Sequence, residues 1–294
     1  KKISHVKCIL SLDDKTCKKI NMKKEFRRFL EHGTYMTIIL VLIPGFVYFE
    51  LCVVLPNVSE AWSLSYFVHY FCAIFLLQNI IGNMIYGMFT NTSIKEKYLE
   101  PDIKSNWTLC SVCECLRPPR AWHCNSCDIC ILKRDHHCTF FACCIGYFNH
   151  RYFMYFTLYI FIAMVYAFYY NVIYMSQFVK WNHGLIILKC IFPLLSFVID
   201  FGNESFYIMV IDINVIVGAF TGFLFIYHFN NLSQGKVTPE RKVNNNDSYD
   251  MGWKRNLVEV FGCRWYWTWV SPFIKSPLPG NARRLSERVV QGSS

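Results

Sequence analysis

Residues 110–144 read CSVCECLRPPRAWHCNSCDICILKRDHHCTFFACC, and this window decides how the rest of the chain is understood. It holds nine of the fifteen cysteines, together with His123, His136 and His137. Cysteines grouped as C-x2-C and H-C-x2-C point to metal in a reducing compartment, not to the disulfides of a secreted domain. Zn²⁺ favours four tetrahedral Cys and His ligands, and a closed structural site uses all four. The candidates are Cys110, Cys113, His123, Cys124, Cys127, Cys130, His137 and Cys144. Eight ligands make two sites. The pairs Cys110 and Cys113, Cys124 and Cys127, and Cys127 and Cys130 each have the spacing of a turn that wraps a metal. So short a window has little apolar core of its own, so metal must supply much of its folding energy.

Three cysteines of the window remain: Cys115, Cys138 and Cys143. Cys138 ends the run Asp135-His136-His137-Cys138. His137 is a candidate ligand, so a metal site would fix the backbone beside Cys138. His136 is placed to act as general base, and Asp135 to orient it and stabilise the imidazolium. A nearby imidazolium favours the reactive thiolate. From spacing alone a second reading stands beside this one, in which the four residues are only loop and ligands.

The rest of the chain is apolar. Of 294 residues 54% are hydrophobic and 18% aromatic, and the mean hydropathy is positive. Uncharged stretches at about 34–54, 66–89, 153–174 and 207–227 approach the length of a transmembrane helix. Pro44 is expected to kink the first, and His69, Gln78, Asn79 and Asn83 in the second to bond to neighbouring helices. A shorter apolar segment at 185–199, interrupted by Lys189 and Pro193, reads as re-entrant or interfacial. Lys1 rather than Met opens the chain, so a preceding segment is expected. No internal repeat is evident.

The net charge of +10 does not indicate nucleic acid, because the basic residues flank the apolar spans. Ten of the thirty Lys and Arg fall in residues 1–33, seven between 90 and 150, and ten after 228. Charge bias therefore places both termini and the cysteine window in the cytosol, a parity that four spans satisfy. The expected fold is an all-α polytopic membrane protein with a two-zinc, cysteine-rich cytosolic domain between its second and third helices. The expected divisions are a basic arm at 1–33, a first helix pair at 34–89, the zinc domain at 90–150, a second helix pair at 151–227, and a cytosolic tail at 228–294. Nothing suggests the paired inverted repeats of a transporter.

The run from Cys110 through Arg117-Pro118, His123-Cys124, Cys127, Cys130, Asp135-His136-His137-Cys138, Cys144, Gly146 and Asn149 to Phe153 closely resembles the cysteine-rich domain of the DHHC protein S-acyltransferases, or palmitoyltransferases. The likeness extends to Val237-Thr238-Pro239-Glu240, similar to the family's Thr-Thr-x-Glu motif, and to the tail motif Tyr249-Asp250-Met251-Gly252 with Asn256 and Phe261-Gly262. The ending Ser276-Pro277-Leu278-Pro279-Gly280 resembles that of the divergent animal subgroup numbered twenty-four.

The resemblance implies one zinc held by Cys110, Cys113, His123 and Cys130, and another by Cys124, Cys127, His137 and Cys144. It implies that Cys138 carries the acyl group, with His136 as base and Asp135 polarising it. The co-substrate would be acyl-CoA, typically palmitoyl-CoA, with Lys133, Arg134, Arg117, Arg120 and Arg151 as candidates to meet the CoA phosphates, and the acceptors would be membrane-associated or cytosolic proteins with juxtamembrane cysteines. The compartment would be the Golgi or endoplasmic reticulum. Three positions depart from the family pattern. Phe140 stands where it carries Trp, Cys143 where it carries Asn, and Val237 where it carries the first Thr. The alternative is a weak or inactive relative of these enzymes, or a membrane zinc-finger interaction protein.

Overall fold

The computed structural model describes residues 40–95, 107–178, 185–200, 202–241 and 249–279, with a few isolated positions before 40. Most of the expected basic arm at 1–33, and the tail beyond 279, lie outside the described residues.

Four helices are long and apolar enough to cross a membrane. The first, α1, runs Leu40–Val58 and contains a π turn at Glu50–Val54. Pro56 lies just beyond that turn and has no N–H to give, which suits a locally widened ladder. The second, α2, spans Leu64–Phe89 and starts at Ser63, whose hydroxyl accepts from the Tyr66 amide at 3.2 Å. Residues 108–145 form six short strands. Helix α3, His150–Met175, follows them directly and packs along both α2 and the last long helix. Next come α4, Leu185–Ile191, and α5, Pro193–Ile199. At seven residues each they are too short to span. Lys189 ties them to Asp200 at 2.9 Å and to Glu204 at 3.0 Å. The last long helix, α6, is Asn203–Ser233. Large apolar side chains such as Phe71, Val165, Phe223 and Ile226 face outward, as a lipid-facing surface requires.

Several polar groups inside the bundle bond to one another or to the backbone. His69 of α2 meets the Tyr166 hydroxyl of α3. Asn171 of α3 donates to Glu50 of α1 at 2.7 Å and to Asn214 of α6 at 2.9 Å. Gln78 and Asn79 behave differently from the sequence expectation. They donate to Ser271 and to the Val270 carbonyl, in the segment after α6, and Asn83 donates to the Asn79 carbonyl of its own helix.

The cysteine window does contain a repeat. The strands β1 (Thr108–Cys110), β2 (Cys115–Arg117), β3 (Trp122–Cys124), β4 (Ile129–Ile131), β5 (His136–Cys138) and β6 (Cys143–Ile145) pair as three antiparallel hairpins. Each begins 14 residues after the last, at 108, 122 and 136. Their equivalent Cα partners are Cys110 with Cys115, Cys124 with Ile129, and Cys138 with Cys143. The turns match too: Glu114, Asp128 and Ala142 adopt positive φ of 51°, 59° and 55°. Strands of three residues are too short to register as alternation or to stand alone, which is why the sequence hid them.

The tail returns to the finger. Gly235 turns the chain after α6 at φ +67°, where a Cβ would fall 2.6 Å from the Tyr249 carbonyl oxygen. Helix α7 is Thr238–Arg241, α8 is Trp253–Phe261 and α9 is Trp265–Thr268. Asn256 of α8 is buried, and its amide donates to the Ser233 carbonyl at 2.8 Å and to Asp250 at 2.6 Å. That clamp holds α8 against the end of α6.

Candidate active site and metal clusters

The structure brings Cys110, Cys113, His123 and Cys130 together, and separately Cys124, Cys127, His137 and Cys144. In the first set the sulfurs of Cys110, Cys113 and Cys130 lie 3.8, 3.3 and 3.9 Å from His123 Nδ1. In the second, Cys124, Cys127 and Cys144 lie 3.7, 3.2 and 3.8 Å from His137 Nδ1. A tetrahedral zinc with bonds of about 2.3 Å to sulfur and about 2.0 Å to nitrogen separates S and N by roughly 3.5 Å. Both clusters are therefore compatible with a zinc ion. The two ligand sets are one pattern displaced by 14 residues: 110 to 124, 113 to 127, 123 to 137 and 130 to 144.

Cys138 stands in the third hairpin where Cys110 and Cys124 stand in the first two. Its backbone surroundings are those of a ligand cysteine. The amides of Phe140 and Phe141 point at its sulfur, as those of Val112 and Cys113 point at Cys110. What differs is the partner three residues on: Cys113 and Cys127 in the first two hairpins, Phe141 in the third. Phe141 is fully buried and packs edge-on against Phe153 and Phe156. It also lies over Gly87 of α2, where a Cβ would come within 2.1 Å of its ring. Cys138 is left among apolar side chains, and burial pushes its thiol up to about 11 against the pull of those two amides. Cys143, across the hairpin, is pushed up to about 12 by burial and by the neighbouring thiols of Cys127 and Cys138.

His136 and Cys138 are two residues apart on β5 and so face the same side of it. His136 Nδ1 donates to Asp135 Oδ2 at 2.6 Å, which leaves the Nε2 lone pair free. The ring packs edge-on against Phe153 and lies 5.0 Å from the ring of His228 in α6. Asp135 is 2% exposed, and burial alone would raise its pKa. The hydrogen bond from His136 and the close approach of the His228 ring overcome that and hold the carboxyl well below the usual range. Thr238 adds two donors, its amide at 2.8 Å and its hydroxyl at 3.0–3.1 Å.

Two buried ion pairs fasten the tail to the same region. Arg120 grips Glu240 with two 2.7 Å bonds, donates to the Gly235 carbonyl, and stacks on Tyr249. Lys133 pairs with Glu259 of α8 at 2.9 Å, both nearly inaccessible. The basic residues expected to meet phosphates thus have other partners. Arg134 donates to the Cys144 sulfur at 3.4 Å, Arg151 to the Tyr152 hydroxyl and the Ile274 carbonyl, and Arg117 to Thr108. Spacing cannot reveal this, because Glu240 and Glu259 lie more than a hundred residues away in sequence. Asn149 is fully buried and links Gly146, the Cys144 carbonyl and Gly87, so it holds the end of β6 against α2. The bundle also contains an apolar cavity between α1, α2 and α3, lined by Phe46, Leu51, Ile80, Ala163, Tyr166 and Tyr170. Ile80 belongs to the same apolar cluster as Cys138.

The sequence reading overlooked His150 and His228. The structure buries both beside Asp135, and nothing in their local spacing marks them.

Residues 103–246 match the family described as DHHC palmitoyltransferase. The probable palmitoyltransferase ZDHHC24 of Danio rerio is 33% identical over 221 residues, which is 73% of this chain and 74% of that protein. The protein of the same name from Mus musculus is 29% identical over 71% of this chain and 75% of its own length. The palmitoyltransferase PFA3 of Saccharomyces cerevisiae is 49% identical over a shorter stretch, 21% of this chain and 19% of the relative.

Proposed function

The chain belongs to the DHHC palmitoyltransferase family, and on that premise we propose that it transfers a long-chain acyl group from acyl-CoA to protein cysteines through an acyl-enzyme on Cys138. The observation that carries this reading is the third hairpin. It keeps the backbone of a metal-binding turn and its leading cysteine, but Phe141 replaces the cysteine that would share a metal.

The reaction takes two steps. His136 Nε2 accepts the Cys138 proton, and the thiolate attacks the thioester carbonyl. The amides of Phe140 and Phe141 support the thiolate against the burial that otherwise keeps it protonated. The acyl–sulfur bond forms on Cys138 as the bond to CoA breaks, and CoA leaves as the thiol with the proton from His136. A substrate cysteine, deprotonated by His136, then takes the acyl group and frees Cys138. Asp135 holds the imidazole in the tautomer that leaves Nε2 basic and stabilises the imidazolium. Thioester exchange is nearly balanced in energy, so activation of the thiol and position do most of the work.

Zinc at the two Cys/His clusters would close the first two hairpins and fix the backbone on both sides of β5, with every protein ligand used. The apolar cavity suits a fatty chain, each buried CH₂ contributing about 0.8 kcal/mol. The basic loops place the finger and both termini in the cytosol, where acyl-CoA is found. Retention in the Golgi or endoplasmic reticulum is part of the same proposal, and its support is the family resemblance. Membrane-associated proteins with cysteines at the bilayer surface are the acceptors this geometry favours.

The test is labelling with an alkyne palmitoyl-CoA. Wild type should take up a hydroxylamine-sensitive label and Cys138→Ser should take up none. Equal labelling of the two would refute the assignment. A wild type that binds two zinc ions and never labels would favour the inactive-relative reading instead.

A further inference from the structure

At the Asp135 carboxylate lies a third cluster, in which two histidines have no part in the two-step reaction. His150, the first residue of α3, and His228 of α6 converge on Asp135, and one ligand atom from each lies within 4.8 Å of the other two. All three residues are at least nine-tenths buried. Both ring nitrogens of His150 lack a hydrogen-bond partner. A neutral imidazole carries one donor and one acceptor, so a fully buried ring with neither satisfied calls for a ligand. His228 Nδ1 lies 3.2 Å from Asp135 Oδ2, yet it is directed off the line of a hydrogen bond and also lacks a partner. Two ligands on one tetrahedral ion, each bonded at about 2.0 Å, lie roughly 3.3 Å apart. The nearby ammonium of Lys133 is paired with Glu259 at 2.9 Å, which offsets its repulsion of a cation.

We propose that Asp135, His150 and His228 form a third metal site, selective for a divalent transition ion of the zinc type, and that its occupancy inhibits the enzyme. Two imidazoles and one carboxylate suit zinc and its neighbours and reject Mg²⁺ and Ca²⁺, which demand oxygen. The set lacks thiolates, so the ion binds more weakly than at the Cys/His clusters and exchanges with free zinc. Inhibition follows from a shared atom. The carboxylate oxygen nearest His228 is Oδ2, which also accepts from His136. A cation on Oδ2 draws off the charge that stabilises the His136 imidazolium. This second half rests on the acyltransferase reading; the metal site does not.

The experiment uses the full chain in nanodiscs with both Cys/His clusters loaded. Wild type and His150→Phe are equilibrated with buffered micromolar Zn²⁺, metal is counted by plasma mass spectrometry, and Cys138 labelling by alkyne palmitoyl-CoA is measured across the zinc series. Each protein is compared with its own rate at the lowest zinc. His150→Gln serves as a second variant should the phenylalanine disturb folding. Wild type is expected to bind a third zinc that both variants lose, and the zinc concentration that halves labelling should rise by roughly 100-fold or more in the variants. Equal zinc counts in wild type and both variants would overturn the site, and a buried water would then fill the cluster. A third zinc that binds without changing labelling would keep the site and overturn inhibition. A third zinc on a wild type that never labels would keep the site and sink the acyltransferase reading.

Discussion

The first two hairpins of the finger and the third have the same backbone and opposite chemistry. In the first two, a leading cysteine meets a second cysteine three residues on, a histidine ten beyond that, and a last cysteine seven further. In the third the leading cysteine remains, but the following positions of the period fall on Phe141, Arg151 and Leu158. The amides that support a metal thiolate in the first hairpin therefore support a solitary thiol in the third. A solitary buried thiol can thus arise by subtraction. The turn is kept, the metal partners are removed, and an aromatic ring fills the space.

The largest expected effect would break the symmetry on the metal side. Cys127→Ser should release zinc and unfold the finger, since structural zinc contributes on the order of 10 kcal/mol to small metal domains. Zinc per chain and proteolysis of the finger report it. Cys138→Ser, at the position of the third hairpin that corresponds to Cys124, should leave both readouts unchanged; lost zinc in that variant would end the comparison. Next is the ring that replaced the ligand. Phe141→Ala should lower stability by about 3–5 kcal/mol, measured as thermal unfolding in detergent, and Phe141→Cys should not raise the zinc count, because Arg151 and Leu158 cannot complete a site. Third, Glu240→Ala strands Arg120 in the interior, at a cost of about 3–5 kcal/mol, and denaturant titration should show it. The smallest effect should be that of Thr238→Val, which keeps the shape but removes the hydroxyl bond to Asp135. A loss of about 1–2 kcal/mol of support would slow Cys138 labelling roughly tenfold with the zinc count unchanged. Unchanged labelling would show that the Thr238 amide alone holds the carboxylate.

Much of this was legible in the residues. The four spans were readable from apolar length, and the eight candidate ligands from the C-x2-C and H-C-x2-C spacing. Asp135-His136-His137-Cys138 drew the eye because two histidines precede a thiol that zinc spacing does not require. The 14-residue repeat escaped because its third copy keeps only its leading cysteine and its strands are three residues long. The partners of Arg120 and Lys133 escaped for a different reason. Charge bias explains why basic residues flank a span, but not which glutamate a given one meets after the chain folds back. His150 and His228 lie on different helices, and only tertiary packing makes them neighbours of Asp135.

The bonds from Thr238 to Asp135 join residues 103 positions apart, on opposite sides of the last two long helices. During synthesis, His136 and Cys138 emerge from the ribosome well before residue 238 exists. Two membrane insertions separate them from the strut that steadies the carboxylate. A chain that stops before that point carries every residue of both Cys/His clusters but leaves Asp135 without the two donors of Thr238, so the order of synthesis puts the clusters ahead of their brace.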